Sequence, residues 1–145
     1  MLVAPEIPQN TGSIARLCDA THTRLHLIKP LGFSLEDRYL KRAGLDYWPW
    51  VDLQIYEDWR AFRDANPQAR LHLFSARARR TYLQAQYRVG DYLVFGRETK
   101  GLPAALLAEH EDDTYVIPID SPHVRSLNLS NAVSIVVYEG RRQVG

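Results

Sequence analysis

Short apolar runs alternate along the chain with segments whose apolar residues recur at helical spacing, and polar loops separate them. The apolar runs predict strands at Leu2–Ala4, Arg24–Lys29, Arg70–Phe74, Tyr92–Phe95 and Tyr115–Ile119. The helical spacing and the N-capping residues predict helices at Ser13–Thr21, Ser34–Ala43, Trp59–Ala65, Ala104–Glu109 and Leu129–Arg141. Strands that alternate with helices indicate an α/β fold, with a mostly parallel sheet and helices on both faces.

The first and last helices have the clearest inward faces. In the first helix, Arg16 points away from a face made of Ile14, Leu17, Cys18 and Thr21. The segment before it, Pro5–Gly12, is predicted to be a turn. The last helix is predicted to bury Ala132, Val133, Val136 and Val137.

A chain of 145 residues fits one domain, 1–145, and its 46% hydrophobic and 24% charged residues are typical of a soluble protein. Because this length leaves little room for a separate substrate-binding module, a large substrate must be held by this domain or by a second copy of it. No run reaches the ~18 apolar residues of a membrane span, and the N-terminus lacks a signal-peptide pattern. We therefore expect a cytoplasmic protein.

The net charge of +1 does not by itself indicate nucleic acid, but the basic residues are clustered. One group is Arg38, Lys41 and Arg42, and another is Arg77, Arg79 and Arg80. The carboxylates concentrate elsewhere, at Glu109, Glu111, Asp112 and Asp113. Clustered arginines are consistent with phosphate contacts, and each cluster taken alone fits a solvated surface equally well.

The single cysteine, Cys18, excludes an internal disulfide and a cysteine-rich metal site. Its place on the inward helical face argues against a reactive thiolate. His22 and His26 lie four residues apart, but they span a helix end and a strand, with no carboxylate between them. The sequence therefore predicts no metal site.

Three polar loops, two of which contain glycine, follow predicted strands and should lie at one end of the sheet, where ligands bind in such folds. They are Pro8–Gly12, Gly96–Gly101 and Ser121–Ser130. Gly96 and Gly101 have the spacing of a P-loop, but Lys100 precedes the second glycine and Leu102 follows it, which excludes that motif. The third loop carries more polar residues than capping by Ser126 or Ser130 requires, which indicates a second role in binding a ligand.

Taken together, four stretches resemble the SPOUT methyltransferases, most closely the small tRNA (cytidine/uridine-2′-O)-methyltransferases of the TrmL/YibK-like group. The matching stretches are Pro5–Cys18, Arg42–Tyr47, Phe95–Pro103 and Arg125–Val133. The resemblance implies a SPOUT-type fold with a deep C-terminal trefoil knot, S-adenosyl-L-methionine as cofactor, and a homodimer that binds the anticodon stem-loop of tRNA. It implies 2′-O-ribose methylation of the wobble nucleotide, a cytidine or a uridine.

The resemblance also implies the site residues. The catalytic positions are Asn10, Arg16, Glu98 and Asn128. The cofactor positions are Phe74, Gly96, Ile117 and Ser126. We assign substrate binding to Arg77, Arg79, Arg80, Arg125 and Tyr138, although Tyr138 also suits a core or interface position.

We interpret Arg16 as a group that holds a phosphate and stabilises a developing alkoxide, since a guanidinium is protonated far above pH 7 and is a poor base. Two alternatives remain from the sequence. One is an enzyme of the same fold that acts on rRNA or on another tRNA position. The other is a non-catalytic protein that binds RNA or the cofactor.

Overall fold

The structure is a computed structural model that describes residues 1–36, 38, 40, 42 and 48–145. Within these ranges the strands are β1 (Leu2–Val3), β2 (Leu25–Ile28), β3 (Leu53–Tyr56), β4 (Leu71–Phe74), β5 (Arg80–Thr81), β6 (Tyr92–Val94) and β7 (Thr114–Val116). The α-helices are α1 (Pro8–Ala20), α2 (Trp59–Ala65), α3 (Ala104–Glu109) and α4 (Leu129–Val144). Short 3-10 turns lie at Trp48–Trp50, Tyr82–Gln84 and Glu111–Asp113.

The chain divides into two compact units, Met1–Pro67 and Gln68–Gly145. The first contains a parallel sheet in the order β1-β2-β3, and the second a parallel sheet in the order β5-β7-β4-β6. The parallel pairing confirms the predicted α/β class. Among the described residues the strands hydrogen-bond in two groups, one in each unit.

Two strands were not predicted. In β3 the two central residues are exposed and the two outer ones half-buried, and β5 has only two residues. Neither has the continuous apolar run that marks a buried strand. The predicted strand at Tyr115–Ile119 is instead β7, and it ends at Val116, two residues before Pro118. Proline has no amide hydrogen to donate to a neighbouring strand, which explains this early end.

The first helix begins at Pro8, five residues before the predicted start, so the predicted turn at Pro5–Gly12 is largely wrong. Proline is favoured at the first helical position, where its missing amide hydrogen costs nothing. The first of the three expected loops is therefore the N-terminal part of α1, with Asn10, Thr11 and Gly12 buried. Ala4, at a positive φ of 53°, turns the chain from β1 towards this helix.

The helix predicted from Ser34 to Ala43 is described only in part. The Ser34 hydroxyl accepts a hydrogen bond from the Glu36 amide at 3.1 Å, as expected of a capping residue. Arg38, Leu40 and Arg42 are helical, whereas the predicted end at Ala43 lies outside the described residues. Lys41 of the first basic group and the stretch after Arg42 that carries part of the family resemblance also lie outside them.

A buried histidine lies in the core of the first unit. His26 is on β2, whose four residues are all buried, and its ring stacks on Tyr56 with the centroids 5.8 Å apart. Phe62, on α2, packs edge-on against the same ring. Burial lowers the pKa of His26 from 6.5 to about 4, because the charged imidazolium loses its hydration.

This shift predicts a loss of stability in mild acid. The unfolded chain binds a proton at His26 as the pH falls through 6.5, while the folded protein does so only near pH 4. The contribution of His26 is therefore complete above pH 6.5 and is lost towards pH 4, by about 3 kcal/mol at most. Denaturant unfolding of the protein and of His26→Leu between these pH values measures it. We expect a flatter pH profile for the variant, and an unchanged profile for His123→Leu, which alters an exposed histidine.

In the second unit, Gln143 joins α4 to the segment after β5. Its side-chain oxygen accepts from the Tyr87 amide at 3.0 Å, and its amide nitrogen donates to the Ala85 carbonyl at 3.0 Å. These bonds explain why α4 continues to Val144, three residues beyond its predicted end. Val133, Val136 and Val137 are buried as predicted, whereas Ala132, which was also predicted to be buried, is only half-buried.

Candidate active site

Three predicted cofactor positions meet at one edge of the second sheet. β4 lies between β7 and β6, and Phe74 is level with Tyr115 while Leu73 is level with Val94. Because the strands are parallel, their carboxyl ends share an edge. Phe74 ends β4, Gly96 follows β6 by two residues and Ile117 follows β7 by one, so all three lie at this edge, which we call the strand-end site.

Two aromatic rings form an apolar wall at the strand-end site. Phe74 and Phe95 stack with their centroids 4.9 Å apart and their planes inclined by 15°. Both side chains are buried, and the Tyr115 ring lies 6.3 Å from Phe74. Phe95 was absent from the predicted cofactor residues. Its contact with Phe74 depends on pairing between β4 and β6, which residue spacing does not reveal.

The loop after β6 closes on itself and requires glycine at both of its ends. The Arg97 amide donates to the Gly101 carbonyl at 3.1 Å, and the Gly101 amide donates to the Arg97 carbonyl at 2.9 Å. Gly101 has a positive φ of 67°, which disfavours other residues. A Cβ at Gly96 would lie 2.1 Å from the Gly101 carbonyl carbon, so the closed loop excludes any side chain there. Half-buried Glu98 lies within this loop.

The loop before α4 ends in an asparagine cap. The Asn128 side-chain oxygen accepts from the Ser130 amide at 2.9 Å and from the Ser130 hydroxyl at 2.7 Å. The expectation that Ser126 or Ser130 caps this helix is wrong, because the helix begins at Leu129 and the residue before it, Asn128, provides the side-chain cap. Arg125 and Ser126 are exposed. Their side chains are thus not needed to cap the helix.

Two predicted catalytic residues lie on α1, in the first unit. Asn10 is buried in the first turn of the helix. Arg16 is exposed, as predicted, in a row with Gln9, Ser13 and Ala20. The other two, Glu98 and Asn128, belong to the second unit.

The second arginine cluster lines a cavity of about 290 Å³ in the second unit. Arg77, Arg79 and Arg80 are exposed at its rim, and the Arg80 guanidinium lies 4.9 Å from the centre of the Tyr115 ring. Two carboxylates, Glu111 and Asp112, line the same cavity. The expectation that the carboxylates concentrate away from the arginines is therefore wrong for these two. The pairing of β5 with β7 places them there, although some thirty residues separate the groups along the chain.

Comparison with known proteins identifies the family. Residues 1–138 match the SpoU rRNA methylase family. The chain belongs to the SpoU methylase family. A tRNA (cytidine(34)-2′-O)-methyltransferase of Escherichia coli K12 is 47% identical over 146 residues, which cover 100% of this chain and 92% of that protein. The corresponding enzyme of Burkholderia ambifaria is 46% identical over 100% of this chain and 94% of its own.

Solved structures agree with this assignment. A protein studied for the 2-OH methylation of C/U34 on tRNA superposes with a TM-score of 0.93 at 50% identity, over 98% of this chain and 92% of that one. The methyltransferase AviRb of Streptomyces viridochromogenes, solved in complex with AdoMet, has a TM-score of 0.81 at 25% identity. That match covers 98% of this chain and 58% of AviRb.

In this SpoU methylase, Tyr138 is on the solvent side of α4. The residue is 54% exposed, and the Arg141 guanidinium lies 5.6 Å from the centre of its ring. The alternative that Tyr138 is a core residue is therefore wrong. An exposed ring that already contacts a cation is suited to stacking or to an interface.

The position of the thiol in this SpoU methylase disfavours its nucleophilic form. Cys18 is buried on α1, and burial raises its pKa to about 11, so the thiolate is scarce at neutral pH. In the described part of the chain, no three His, Cys, Asp or Glu side chains are grouped as a metal site would require. No helix within those residues is long and apolar enough to cross a membrane.

Proposed function

We propose that this SpoU methylase transfers the methyl group of S-adenosyl-L-methionine to the ribose 2′-hydroxyl of nucleotide 34, a cytidine or uridine, in the tRNA anticodon loop. The observation that carries the proposal is identity of 46–47%, over nearly all of both chains, to tRNA (cytidine(34)-2′-O)-methyltransferases. The structure of the protein studied for C/U34 methylation matches over the same extent.

The strand-end site fits the cofactor. An adenosyl group presents a flat, uncharged base and a ribose, which require an apolar wall and backbone hydrogen-bonding groups. The site offers the buried Phe74–Phe95 pair and the backbone that follows three parallel strands. The cofactor supplies an electrophilic methyl group when it is bound.

The cofactor roles follow from the chemistry of the residues. We assign Phe74 to contact with the adenine, and the backbone at Gly96 and Ile117 to hydrogen bonds with the adenosyl group. The exposed Ser126 hydroxyl both donates and accepts, which suits a ribose or amino acid group. Each of these residues lies in the second unit.

The catalytic roles concern alignment and charge. We assign Arg16 to the phosphate next to the reacting ribose, where its guanidinium also stabilises the developing alkoxide. Asn10 and Glu98 hold the substrate by hydrogen bonds, and Asn128 keeps the loop before α4 in place through its bonds to Ser130. Positioning of this kind contributes roughly 7–11 kcal/mol when the geometry is good.

We further propose that residues 1–145 act as one methyltransferase domain with the C-terminal trefoil knot of SPOUT proteins, and that two copies form a homodimer. The dimer is supported by solvent-exposed residues on two helices: Arg16 on α1, and Ile135 and Tyr138 on α4. We assign Arg125 and Tyr138 to tRNA contacts. We expect the cytoplasm as the location, because tRNA is the substrate.

Methyl transfer to total tRNA from a strain that lacks the endogenous enzyme tests the function, with labelled S-adenosyl-L-methionine and nucleoside mapping. Label at the 2′-oxygen of nucleotide 34 is the expected result. Label at another tRNA ribose, or in rRNA only, would replace the substrate. Cofactor binding without transfer to any RNA would favour the non-catalytic alternative.

The arginine cluster predicts a salt-dependent loss of tRNA affinity. The logarithm of tRNA affinity falls linearly with the logarithm of salt concentration, and each phosphate contact that is removed makes this slope shallower by about 1. Arg77→Gln/Arg79→Gln/Arg80→Gln should therefore make it shallower by about 2–3. Filter binding of tRNA between 50 and 200 mM salt, roughly the range over which such contacts weaken, measures the slope. A matched control, Arg24→Gln/Arg60→Gln/Arg88→Gln, removes three exposed arginines outside the cluster. Equal slopes for the two triple variants would show that only net charge matters.

A further inference from the structure

The cavity beside the arginine cluster carries an inference that rests on the proposed function and extends it to base selection. The cavity is lined by three arginines, Arg77, Arg79 and Arg80, and by two carboxylates, Glu111 and Asp112. Ser75 and Thr114 line it as well, and the Thr114 hydroxyl is already committed to the His110 carbonyl at 2.7 Å. The cavity therefore offers cationic donors and anionic acceptors to one ligand.

The opposite charges of the cavity do not form ion pairs with each other in the part of the chain that the structure describes, where none of the three guanidinium groups lies within ion-pair distance of Glu111 or Asp112. Arg80 is instead held over the Tyr115 ring at 4.9 Å. A surface that bound phosphate alone would be weakened by two nearby carboxylates, since like charges repel. A ligand that satisfies both the arginines and the carboxylates must carry an anion and a hydrogen-bond donor.

A nucleotide with an amino group on its base meets this requirement. Arginine binds phosphate through paired N–H groups, and carboxylates accept hydrogen bonds from exocyclic amines such as that of cytosine. Uracil presents a carbonyl oxygen at the corresponding position, which a carboxylate repels. Guanidinium planes are also common stacking surfaces for unpaired RNA bases, and Arg80 is already fixed by Tyr115.

The volume of the cavity and its position in the fold indicate which nucleotide it binds. A volume of about 290 Å³ is at the lower end of ligand pockets, which admits one unpaired nucleotide rather than a stem. Ser75 and Arg77 follow the carboxyl end of β4 and Glu111 and Asp112 precede β7, but Phe74, Gly96 and Ile117 of the strand-end site do not line the cavity. The nucleotide in the cavity is thus distinct from the one that is methylated.

We propose that this cavity binds one unpaired tRNA nucleotide outside position 34 and that Glu111 and Asp112 select a base with an exocyclic amine. The arginines hold the phosphate of that nucleotide. The two carboxylates act as specificity-determining residues, because they accept from the amine and disfavour a base without one.

RNAs in which a single base lacks its exocyclic amine test this proposal. The probes are anticodon stem-loop RNAs in which one loop nucleotide at a time loses its amine: adenosine replaced by purine riboside, cytidine by zebularine, or guanosine by inosine. Fluorescence anisotropy measures their affinity for the full chain. At one loop position outside 34, we expect the deaminated base to weaken binding by about tenfold.

Variants then assign the discrimination to the carboxylates. In Glu111→Gln/Asp112→Asn the side-chain amides both donate and accept, so the preference at that position should fall to about twofold or less. Glu109→Gln/Asp113→Asn removes the same charge from exposed residues of the same segment that do not line the cavity, and it should keep the full preference. Discrimination that survives in Glu111→Gln/Asp112→Asn, or that is absent from the unaltered protein, overturns the proposal.

Methyl transfer to the unmodified stem-loop, measured in parallel, separates the two hypotheses. Transfer without base discrimination overturns the cavity assignment and leaves the proposed function intact. Base discrimination in binding, without methyl transfer, supports the cavity assignment and contradicts the proposed function.

Discussion

Replacing Arg16 by alanine should lower kcat for tRNA methylation by about 10²–10³, the range found when one transition-state hydrogen-bond donor is removed. The side chain is exposed on α1, so its loss leaves no cavity in the first unit. We therefore expect the melting temperature and the affinity for S-adenosyl-L-methionine to stay close to those of the unaltered protein. Single-turnover methyl transfer, thermal unfolding and calorimetric titration of the cofactor measure the three quantities.

Arg24→Ala is the matched control for Arg16→Ala. Arg24 is an exposed arginine of the same unit, paired with Asp52 at 2.6 Å, and surface pairs of this kind contribute about 0–1 kcal/mol. Its replacement should leave methyl transfer unchanged. If Arg16→Ala lowered the melting temperature along with the activity, Arg16 would be a structural residue and the catalytic assignment would be wrong. Normal activity in Arg16→Ala would exclude the assignment directly.

Replacing Gly96 by alanine should abolish cofactor binding. It should also lower the free energy of unfolding by more than an ordinary overpacking substitution does, which costs about 1–3 kcal/mol. The new Cβ would lie 2.1 Å from the Gly101 carbonyl carbon and 2.2 Å from the Leu102 nitrogen. Both are backbone atoms, so no side chain can rotate away. The loop that closes through Arg97 and Gly101 must open, which disturbs the backbone of the strand-end site.

Gly140→Ala provides the control for Gly96→Ala. A Cβ at Gly140 on α4 meets only the Tyr87 Cγ at 3.9 Å, an ordinary contact. Alanine is a better helix former than glycine by about 0.5–1 kcal/mol, so this variant should be slightly more stable and should bind the cofactor normally. Denaturant unfolding and calorimetric titration compare the two variants. Cofactor affinity that survives in Gly96→Ala would show that the loop after β6 is not part of the cofactor site.

The sequence pattern correctly predicted the bounds of helices that are determined by the residues at their own ends. Trp59–Ala65 and Ala104–Glu109 have the predicted bounds, because capping residues and proline mark their ends. The start of α1 was missed because Pro8 and Gly12 are read as turn residues, although proline also suits the first helical turn. Asn128 was identified as a polar site position but not as the cap of α4, since Ser126 and Ser130 have the same capping chemistry.

The sequence by itself determined the α/β class, most of the element positions and, through its motifs, the family and the candidate residues of the strand-end site. These properties depend on short-range periodicity and on local side-chain chemistry. Only the tertiary structure placed Phe95 against Phe74, required glycine at position 96, and brought Glu111 and Asp112 to the arginine cluster. Each of these depends on which strands pair and in which register. That choice is made by contacts between residues far apart along the chain, which no local pattern encodes.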